Sequence, residues 1–191
     1  MPAIYFVRHG QTDWNAQRKL QGRIDVPINA TGRDQARRNG GVLAELIGGA
    51  PFDFVSSPLL RTRQTMEIIR EAMGLPKEGY RTDERLREIS MGDWEGFTFP
   101  QIAESDGENY ARREADIWNV GAPAGESYRE LSARVVEWFS EVSRDTVAVS
   151  HGGVSRCVRA HLLGLTPAET MRLDVPQDKV LMIDGGKLNW L

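Results

Sequence analysis

The stretch Ile4-Tyr5-Phe6-Val7-Arg8-His9-Gly10 places an arginine, a histidine and a glycine directly after a short apolar run. Such a run predicts a buried strand, so His9 is expected at the carboxyl end of that strand. Open α/β sheets bind ligands at these strand ends. Glycine allows a close backbone approach there, and arginine offers a fixed fork for phosphate or carboxylate. The stretch therefore indicates an α/β fold with an anion site.

A second histidine occupies the same kind of position. The apolar run 146–150 ends at His151-Gly152-Gly153, which opens a predicted helix whose free N–H groups and dipole favour an anion. Arg61 lies in the first turn of another predicted helix, from which its guanidinium reaches back toward a strand end. We therefore expect Arg8, His9, Arg61 and His151 to form one electropositive pocket.

Apolar runs at about residues 3–8, 52–56, 146–150 and 180–183 alternate with segments of helical periodicity. This alternation predicts an α/β fold, a three-layer αβα sandwich with a mostly parallel central sheet and helices on both faces. A chain of 191 residues is expected to form a single domain, 1–191. The least regular segment, about 92–125, is predicted to be a lid-like insertion over the edge of the sheet.

Capping residues predict where several elements begin and end. Helices are expected to start near Thr31, at Ser57-Pro58 and at Ser127. A further helix is predicted over 152–163, ending at a glycine. Asp184-Gly185-Gly186-Lys187 is expected to join the two final strands as a hairpin.

Composition and charge exclude several classes of protein. The formal net charge of -3 argues against a general nucleic-acid binder, so an anion site must be local. The apolar runs are shorter than the roughly 18 residues that a membrane span needs, and the first residues do not resemble a signal peptide. The single cysteine, Cys157, excludes an internal disulfide. We expect a cytoplasmic protein with no nucleic-acid or membrane partner.

These motifs together resemble the histidine phosphatase superfamily, in its phosphoglycerate mutase-like phosphatase branch. The similar stretches run in order from residue 4 to about residue 156, and the main ones are Arg8-His9-Gly10-Gln11-Thr12-Asp13-Trp14-Asn15, Gln21-Gly22, Ser56-Ser57-Pro58-Leu59-Leu60-Arg61-Thr62-Arg63-Gln64-Thr65, Leu86-Arg87-Glu88, Gly92-Asp93-Trp94-Glu95-Gly96, Gly125-Glu126-Ser127 and Ser150-His151-Gly152-Gly153. The resemblance implies that His9 is the nucleophile and carries the phosphoryl group as phosphohistidine. It implies that Arg8, Arg61 and His151 hold the phosphoryl oxygens.

The resemblance also implies that Glu88 is the general acid that protonates the leaving oxygen and then activates water. Without the motif, Glu84, Asp93 and Glu95 would compete with Glu88 for this role. Substrate-binding roles are implied for polar and glycine residues near the phosphoryl group: Thr12, Asn15, Gln21, Gly22 and Gly152. No metal or cofactor is expected.

The expected reaction is hydrolysis of a small phosphorylated metabolite. Mutases of this family typically continue after the acid with an Arg-His-Tyr-Gly-like stretch, whereas Glu88 is followed by Ile89-Ser90-Met91-Gly92-Asp93-Trp94-Glu95-Gly96. A shorter cover should also admit water to the pocket. A cofactor-dependent phosphoglycerate mutase and a non-catalytic phospho-ligand binding protein remain the alternatives.

Residues of the segment 92–125 are candidates for substrate contacts. Its aromatic side chains would rim an apolar leaving-group pocket or pack in the core, and they are Phe97, Phe99, Tyr110 and Trp118. Arg112-Arg113 would meet a second anionic group of the substrate or lie on a solvated face. The final strand, if it forms an exposed sheet edge, makes a homodimer possible.

Overall fold

The computed structural model describes residues 1–48 and 50–191, and in this part of the chain six strands form one sheet. The strands are β1 Ile4–Arg8, β2 Asp53–Ser56, β3 Arg81–Thr82, β4 Thr146–Ser150, β5 Val180–Asp184 and β6 Lys187–Trp190, in the spatial order β3-β2-β4-β1-β5-β6. The first four pair in parallel, and β5 and β6 add antiparallel at one edge. The predicted α/β class with a mostly parallel sheet is confirmed.

Helices cover both faces of this sheet. In chain order they are α1 Asp13–Ala16, α2 Ala30–Ile47, α3 Leu60–Ala72, α4 Phe99–Ser105, α5 Gly107–Ala115, α6 Tyr128–Glu141, α7 Gly152–Leu163 and α8 Pro167–Met171. Val147 and Val149 of β4 pack with α2 and α3, whereas Ala148 between them packs with α6 and α7. This alternation of side chains produces the predicted three layers. Within the described residues, no helix combines the length and the apolar character that crossing a bilayer requires.

Helix α2 starts one residue from the predicted position near Thr31 but with a different cap, and the predicted start of α3 was wrong. Helix α2 is capped by Asn29, whose side-chain oxygen accepts from Gly32 N at 2.9 Å, and Thr31 lies inside the helix. Asparagine is a better N-cap than threonine, so the earlier residue prevails. Helix α3 begins at Leu60 and not at Ser57-Pro58, because Leu60 N donates to Asp25 Oδ1 at 2.7 Å. That cap comes from a distant loop, which local sequence does not reveal.

The other predicted boundaries are confirmed. Ser127 caps α6 in a capping box with Glu130. Helix α7 ends at Gly164, which adopts the left-handed conformation with φ of 63°. The two glycines between β5 and β6 also have positive φ, at 53° and 79°, as a tight hairpin turn requires.

The segment 92–125 contains more helix than its irregular sequence suggests. It consists of a 3₁₀ turn, Gly92–Trp94, followed by α4, α5 and a series of turns. The Trp94 side chain is buried, and its indole N–H donates to Asp106 Oδ2 at 2.9 Å. Trp94 and Ile102 join the same apolar cluster as α6 and α7. The segment is therefore packed onto the domain, and its role as a lid stays a prediction.

Candidate active site

The ends of β1 and β4 bring the two predicted histidines together. The strands are neighbours in parallel register, with Arg8 opposite Ser150, and His9 N donates to Ser150 O at 2.9 Å. The two imidazole rings consequently lie with their centroids 5.2 Å apart. Both side chains are buried, at 2% and 0% exposure. The site is built on the most central strands of the sheet.

Hydrogen bonding fixes the tautomer of His9. Its Nδ1 lies 2.8 Å from Gly10 O, and a carbonyl oxygen only accepts, so Nδ1 carries the proton. Nε2 is thus left with a lone pair. Burial, and then the charges of Arg61 and Arg8, hold the pKa of His9 well below its usual 6.5. The imidazole is therefore neutral near pH 7 and available as a nucleophile.

His151 makes different hydrogen-bond contacts from His9. Its Nε2 lies 2.8 Å from Ser57 Oγ, while its buried Nδ1 has no partner in the described part of the chain. Burial, followed by the charge of Arg61, lowers the pKa of His151 well below 6.5, so this ring is also neutral. When the Ser57 hydroxyl donates to Nε2, the proton lies on Nδ1, which is then a hydrogen-bond donor. His151 is 0% exposed and is not among the residues that line the cavity next to His9, so its donation to an anion is a proposal. Ser57 was predicted only as a helix cap.

The two predicted arginines are held by backbone carbonyls. Arg61 is fully buried and donates to Ile24 O at 2.9 Å and to Gly22 O at 2.7 Å. Arg8 donates to Val175 O at 2.6 Å. Burial lowers the pKa of Arg61 to about 10, which still leaves a full positive charge at neutral pH. Neither guanidinium pairs with a carboxylate within the ranges 1–48 and 50–191. Both charges remain free to stabilise an anion.

Arg8, His9 and Arg61 line one cavity. Glu88 lies in the wall of this cavity, on the loop that follows the 3₁₀ turn Glu84–Leu86. Its Oε1 accepts from Ile89 N at 2.9 Å, and its Oε2 lies 3.4 Å from Gly153 N, at the start of α7. The competing carboxylates Glu84, Asp93 and Glu95 do not line this cavity. Of these four acids, Glu88 alone is placed to exchange a proton with a bound ligand.

Amide side chains complete the polar wall. Asn15 and Gln21 line the cavity, and their amide oxygens accept from Thr12, at 3.1 Å from its backbone nitrogen and 2.9 Å from its hydroxyl. Their NH₂ groups are therefore the parts available to an anion. Thr12 itself is buried behind them and does not line the cavity. It holds the two amides in place.

The predicted glycines lie next to the arginines. Gly22 has a positive φ of 48°, and its carbonyl accepts from Arg61. A Cβ on Gly152 would lie 3.6 Å from Arg8 Nε. Gly22 lines the cavity beside Arg61, whereas Gly152 is close to Arg8 but is not among the lining residues.

The cavity has a volume of about 350 Å³ and a mixed lining. Besides the predicted residues, it includes side chains that the sequence analysis did not single out: Lys19, Leu20, Ile89, Met91, Glu114, Ile117, Tyr128, Arg156 and Met171. Cations outnumber carboxylates in this lining by five to two, although the chain as a whole is acidic. Of these additional residues, Arg156 could have been placed at the site from the sequence, because it follows Gly152 by four positions and so lies on the same face of the helix.

The segment 92–125 contributes one cation and one aromatic side chain to this cavity. Arg113 lines it and is only 3% exposed, and its Nε and one terminal nitrogen have no partner in the described chain. Burial lowers the pKa of Arg113. Arg112 is exposed. Phe99 also lines the cavity, whereas three other aromatic candidates do not: Phe97, which is 49% exposed, Tyr110, which packs on Trp94, and Trp118, which stacks on Tyr128.

Comparison with known proteins identifies relatives over the whole chain. Residues 4–190 match the family described as the histidine phosphatase superfamily, branch 1. The chain is 35% identical to the probable phosphoglycerate mutase GpmB of Shigella dysenteriae, and the match covers 100% of this chain and 88% of that protein.

Two solved structures have closely similar folds. The α-ribazole phosphatase of Shigella flexneri has a TM-score of 0.82 at 25% identity, covering 99% of this chain and 94% of that one. A mycobacterial glucosyl-3-phosphoglycerate phosphatase, solved in complex with VO3, has a TM-score of 0.78 at 31% identity, covering 100% and 97%.

Proposed function

Because the chain belongs to the histidine phosphatase superfamily, as its sequence motifs predict, we propose that it hydrolyses a small phosphomonoester through a phosphohistidine on His9. One observation carries this proposal. His9 is neutral, its Nδ1 is occupied by a carbonyl, and its free Nε2 is accompanied by two unpaired arginines. A nucleophile beside fixed positive charge is what phosphoryl transfer requires.

In the first step, the phosphoryl oxygens bind Arg8, Arg61 and the Nδ1–H of His151. The NH₂ groups of Asn15 and Gln21 add neutral hydrogen bonds. The Nε2 lone pair of His9 forms the N–P bond while the P–O bond to the leaving group breaks, and Glu88 gives its proton to the departing oxygen. Positioning and charge stabilisation supply most of the rate, because the protein has little covalent chemistry to do.

In the second step, Glu88 takes a proton from a water molecule, and the water oxygen attacks phosphorus. The N–P bond breaks and its electron pair returns to Nε2 of His9, so inorganic phosphate leaves and the enzyme is restored. The arginines supply the positive charge in both steps. We propose that neither a metal ion nor an organic cofactor takes part.

Hydrolysis is favoured over mutase activity by the stretch after Glu88, which lacks the Arg-His-Tyr-Gly-like pattern. Two structural neighbours are phosphatases, and VO3 in one of them is an oxyanion of the kind that this cavity would accept. The similarity to GpmB keeps a phosphoglycerate mutase as the second candidate. A mutase would be stimulated by a bisphosphorylated glycerate, whereas the hydrolase would not.

The substrate class follows from the rest of the cavity. Arg113 is a buried cation without an acceptor, so it supports a substrate that carries a second anionic group. Phe99, Ile117 and Met171 provide apolar contact beside it. We therefore propose a phosphorylated metabolite with a carboxylate or second phosphate on its leaving group. The segment 92–125, which supplies Arg113 and Phe99, would act as the lid over this part of the substrate.

The test compares His9→Ala with wild type on an activated aryl phosphate. His161 is the matched control, because it is exposed on α7, and its ring packs against Phe139, outside the cavity lining. The account predicts that His9→Ala reduces hydrolysis to background while His161→Ala retains the wild-type rate. Equal rates for His9→Ala and wild type would refute the phosphohistidine mechanism. Phosphate binding without hydrolysis of any phosphoester would favour the non-catalytic binding protein.

A further inference from the structure

The backbone on both sides of Glu88 is held by one arginine of α6. Arg134 donates to Arg85 O at 2.6 Å and to Arg87 O at 2.7 Å from one terminal nitrogen, and to Glu88 O at 3.1 Å from the other. One planar group thus binds three carbonyls within four residues. A guanidinium suits this task because its five donors keep a fixed geometry.

Glu126 fixes the orientation of that guanidinium. Its carboxylate accepts two bonds from Arg134, from Nε to Oε1 at 2.7 Å and from the terminal Nη2 to Oε2 at 2.8 Å. The two side chains are only 17% and 13% exposed, so solvent screens the pair less than a surface ion pair. Ser90 N also donates to Glu126 Oε2 at 3.3 Å. We call Arg134 and Glu126 the acid clamp, since together they hold the chain from residue 85 to residue 90.

The same segment is tied to the strand that leads to His151. Ser150 Oγ donates to Leu86 O at 2.8 Å, inside the segment that the acid clamp holds. The Glu88 carboxylate itself has one short bond, to its neighbour Ile89 N, and a long contact to Gly153 N. Its distance from His9 therefore depends on where the backbone of residue 88 is held.

We propose that Arg134 and Glu126 are positioning residues that set the general acid Glu88 against the leaving oxygen. This inference rests on the proposed function, because it assumes that Glu88 is the acid. A misplacement of about 1 Å in a reacting group costs on the order of a hundredfold in rate. Loss of the acid clamp should therefore lower the rate for substrates whose hydrolysis is limited by protonation of the leaving group.

The test uses two substrates that differ in their need for an acid. An alkyl phosphate has a strongly basic leaving oxygen, whereas an aryl phosphate with an acidic phenol departs without protonation. We expect Arg134→Met to lower kcat/KM for the alkyl phosphate about 10- to 100-fold and that for the aryl phosphate less than about threefold. Arg134→Lys, which keeps the charge without the fork, should restore only part of the loss.

Arg85 offers a matched control. It binds Asp83 at 2.9 Å and reaches Glu137 and Glu141 of α6, so it ties the same turn to the same helix. Its side chain makes no hydrogen bond to the residues 87–90. Arg85→Met should therefore lower thermal stability without changing the ratio of the two kcat/KM values.

Glu88→Gln separates failure of this inference from failure of the proposed function. If Glu88→Gln itself spares the alkyl phosphate, Glu88 is not the acid and the proposed mechanism fails. If Glu88→Gln lowers kcat/KM selectively for the alkyl phosphate but Arg134→Met lowers kcat/KM equally for both substrates, the positioning role is overturned. The double variant that combines Glu88→Gln with Arg134→Met should have the same kcat/KM for the alkyl phosphate as Glu88→Gln alone. Should Arg134→Met not fold, Glu126→Gln provides the same comparison.

Discussion

A methyl group added at Gly153 should displace the proposed general acid without harming the fold. Gly153 is the second residue of α7, and a Cβ built there would lie 2.4 Å from Glu88 Oε1. Ordinary contact begins at 3.4 Å, so the carboxylate would have to retreat by about 1 Å. The other close atom is Leu131 Cδ2 at 3.1 Å, which needs a shift of only a few tenths of an ångström. Gly153→Ala is therefore a change aimed at one side chain.

Gly153→Ala should lower activity strongly and change stability very little. A shift of about 1 Å in the acid is expected to lower kcat/KM for an alkyl phosphate on the order of a hundredfold, or about 2.7 kcal/mol. Alanine is favoured over glycine in a helix by about 0.5 to 1 kcal/mol, which offsets the small adjustment at Leu131. The protein should unfold at nearly the wild-type temperature while losing most of its activity on poor leaving groups.

Steady-state kinetics on an alkyl and an aryl phosphate, with thermal unfolding in parallel, measure both effects. Gly41→Ala is the control, because Gly41 is also inside a helix and a Cβ there meets nothing within 4 Å. Gly41→Ala should be slightly more stable and fully active. Wild-type kcat/KM for the alkyl phosphate in Gly153→Ala would refute the placement of Glu88 as the acid.

Three further predictions follow from the site. Arg113→Leu should raise KM about 10- to 100-fold for substrates with a second anionic group and leave the KM of simple aryl phosphates unchanged. This is the range expected for loss of a charge-assisted hydrogen bond. Arg112→Leu is the control, and equal KM values in both variants would contradict the assignment of Arg113. Folded His9 and His151 stay neutral where unfolded histidines take up protons, so the free energy of unfolding should fall below about pH 6.5, by up to about 1.4 kcal/mol per pH unit for each histidine. Urea unfolding at several pH values measures this slope, and replacing either histidine with glutamine should reduce it; an unchanged slope would show that the ring was not buried neutral. Ser57→Ala should lower kcat/KM about fivefold for every phosphoester, since one hydrogen bond of about 1 kcal/mol no longer selects the His151 tautomer. Nitrogen NMR of the imidazole detects the tautomer, and a single unchanged tautomer in Ser57→Ala would contradict this role of Ser57.

The parts of the site that follow strand ends could be predicted from the sequence. Short apolar runs predicted β1 and β4, and parallel strands finish at one edge, so His9 and His151 were expected at the same edge of the sheet. That β1 and β4 are neighbours is seen only in the structure. Capping patterns likewise located α6 and α7 because those caps are local. Both predictions depend on residues that act on their immediate neighbours in the chain.

Contacts between distant segments could not be predicted in this way. Ser57 binds His151 across 94 residues, and Arg134 binds three backbone carbonyls that have no sequence signature. For the pair Arg112-Arg113, the orientation of α5 against the domain decides which of the two arginines is buried, and the sequence does not show that orientation. Such features depend on packing, which becomes visible only in three dimensions.

The proposed mechanism requires that His9 carries the phosphoryl group during turnover. Rapid quenching of the enzyme with substrate, followed by mass spectrometry under alkaline conditions that preserve N–P bonds, measures this directly. We expect one phosphoryl group on His9, lost on acid treatment and absent in His9→Ala. Steady turnover with no labelled enzyme, or with the phosphoryl group on a different residue, would contradict it.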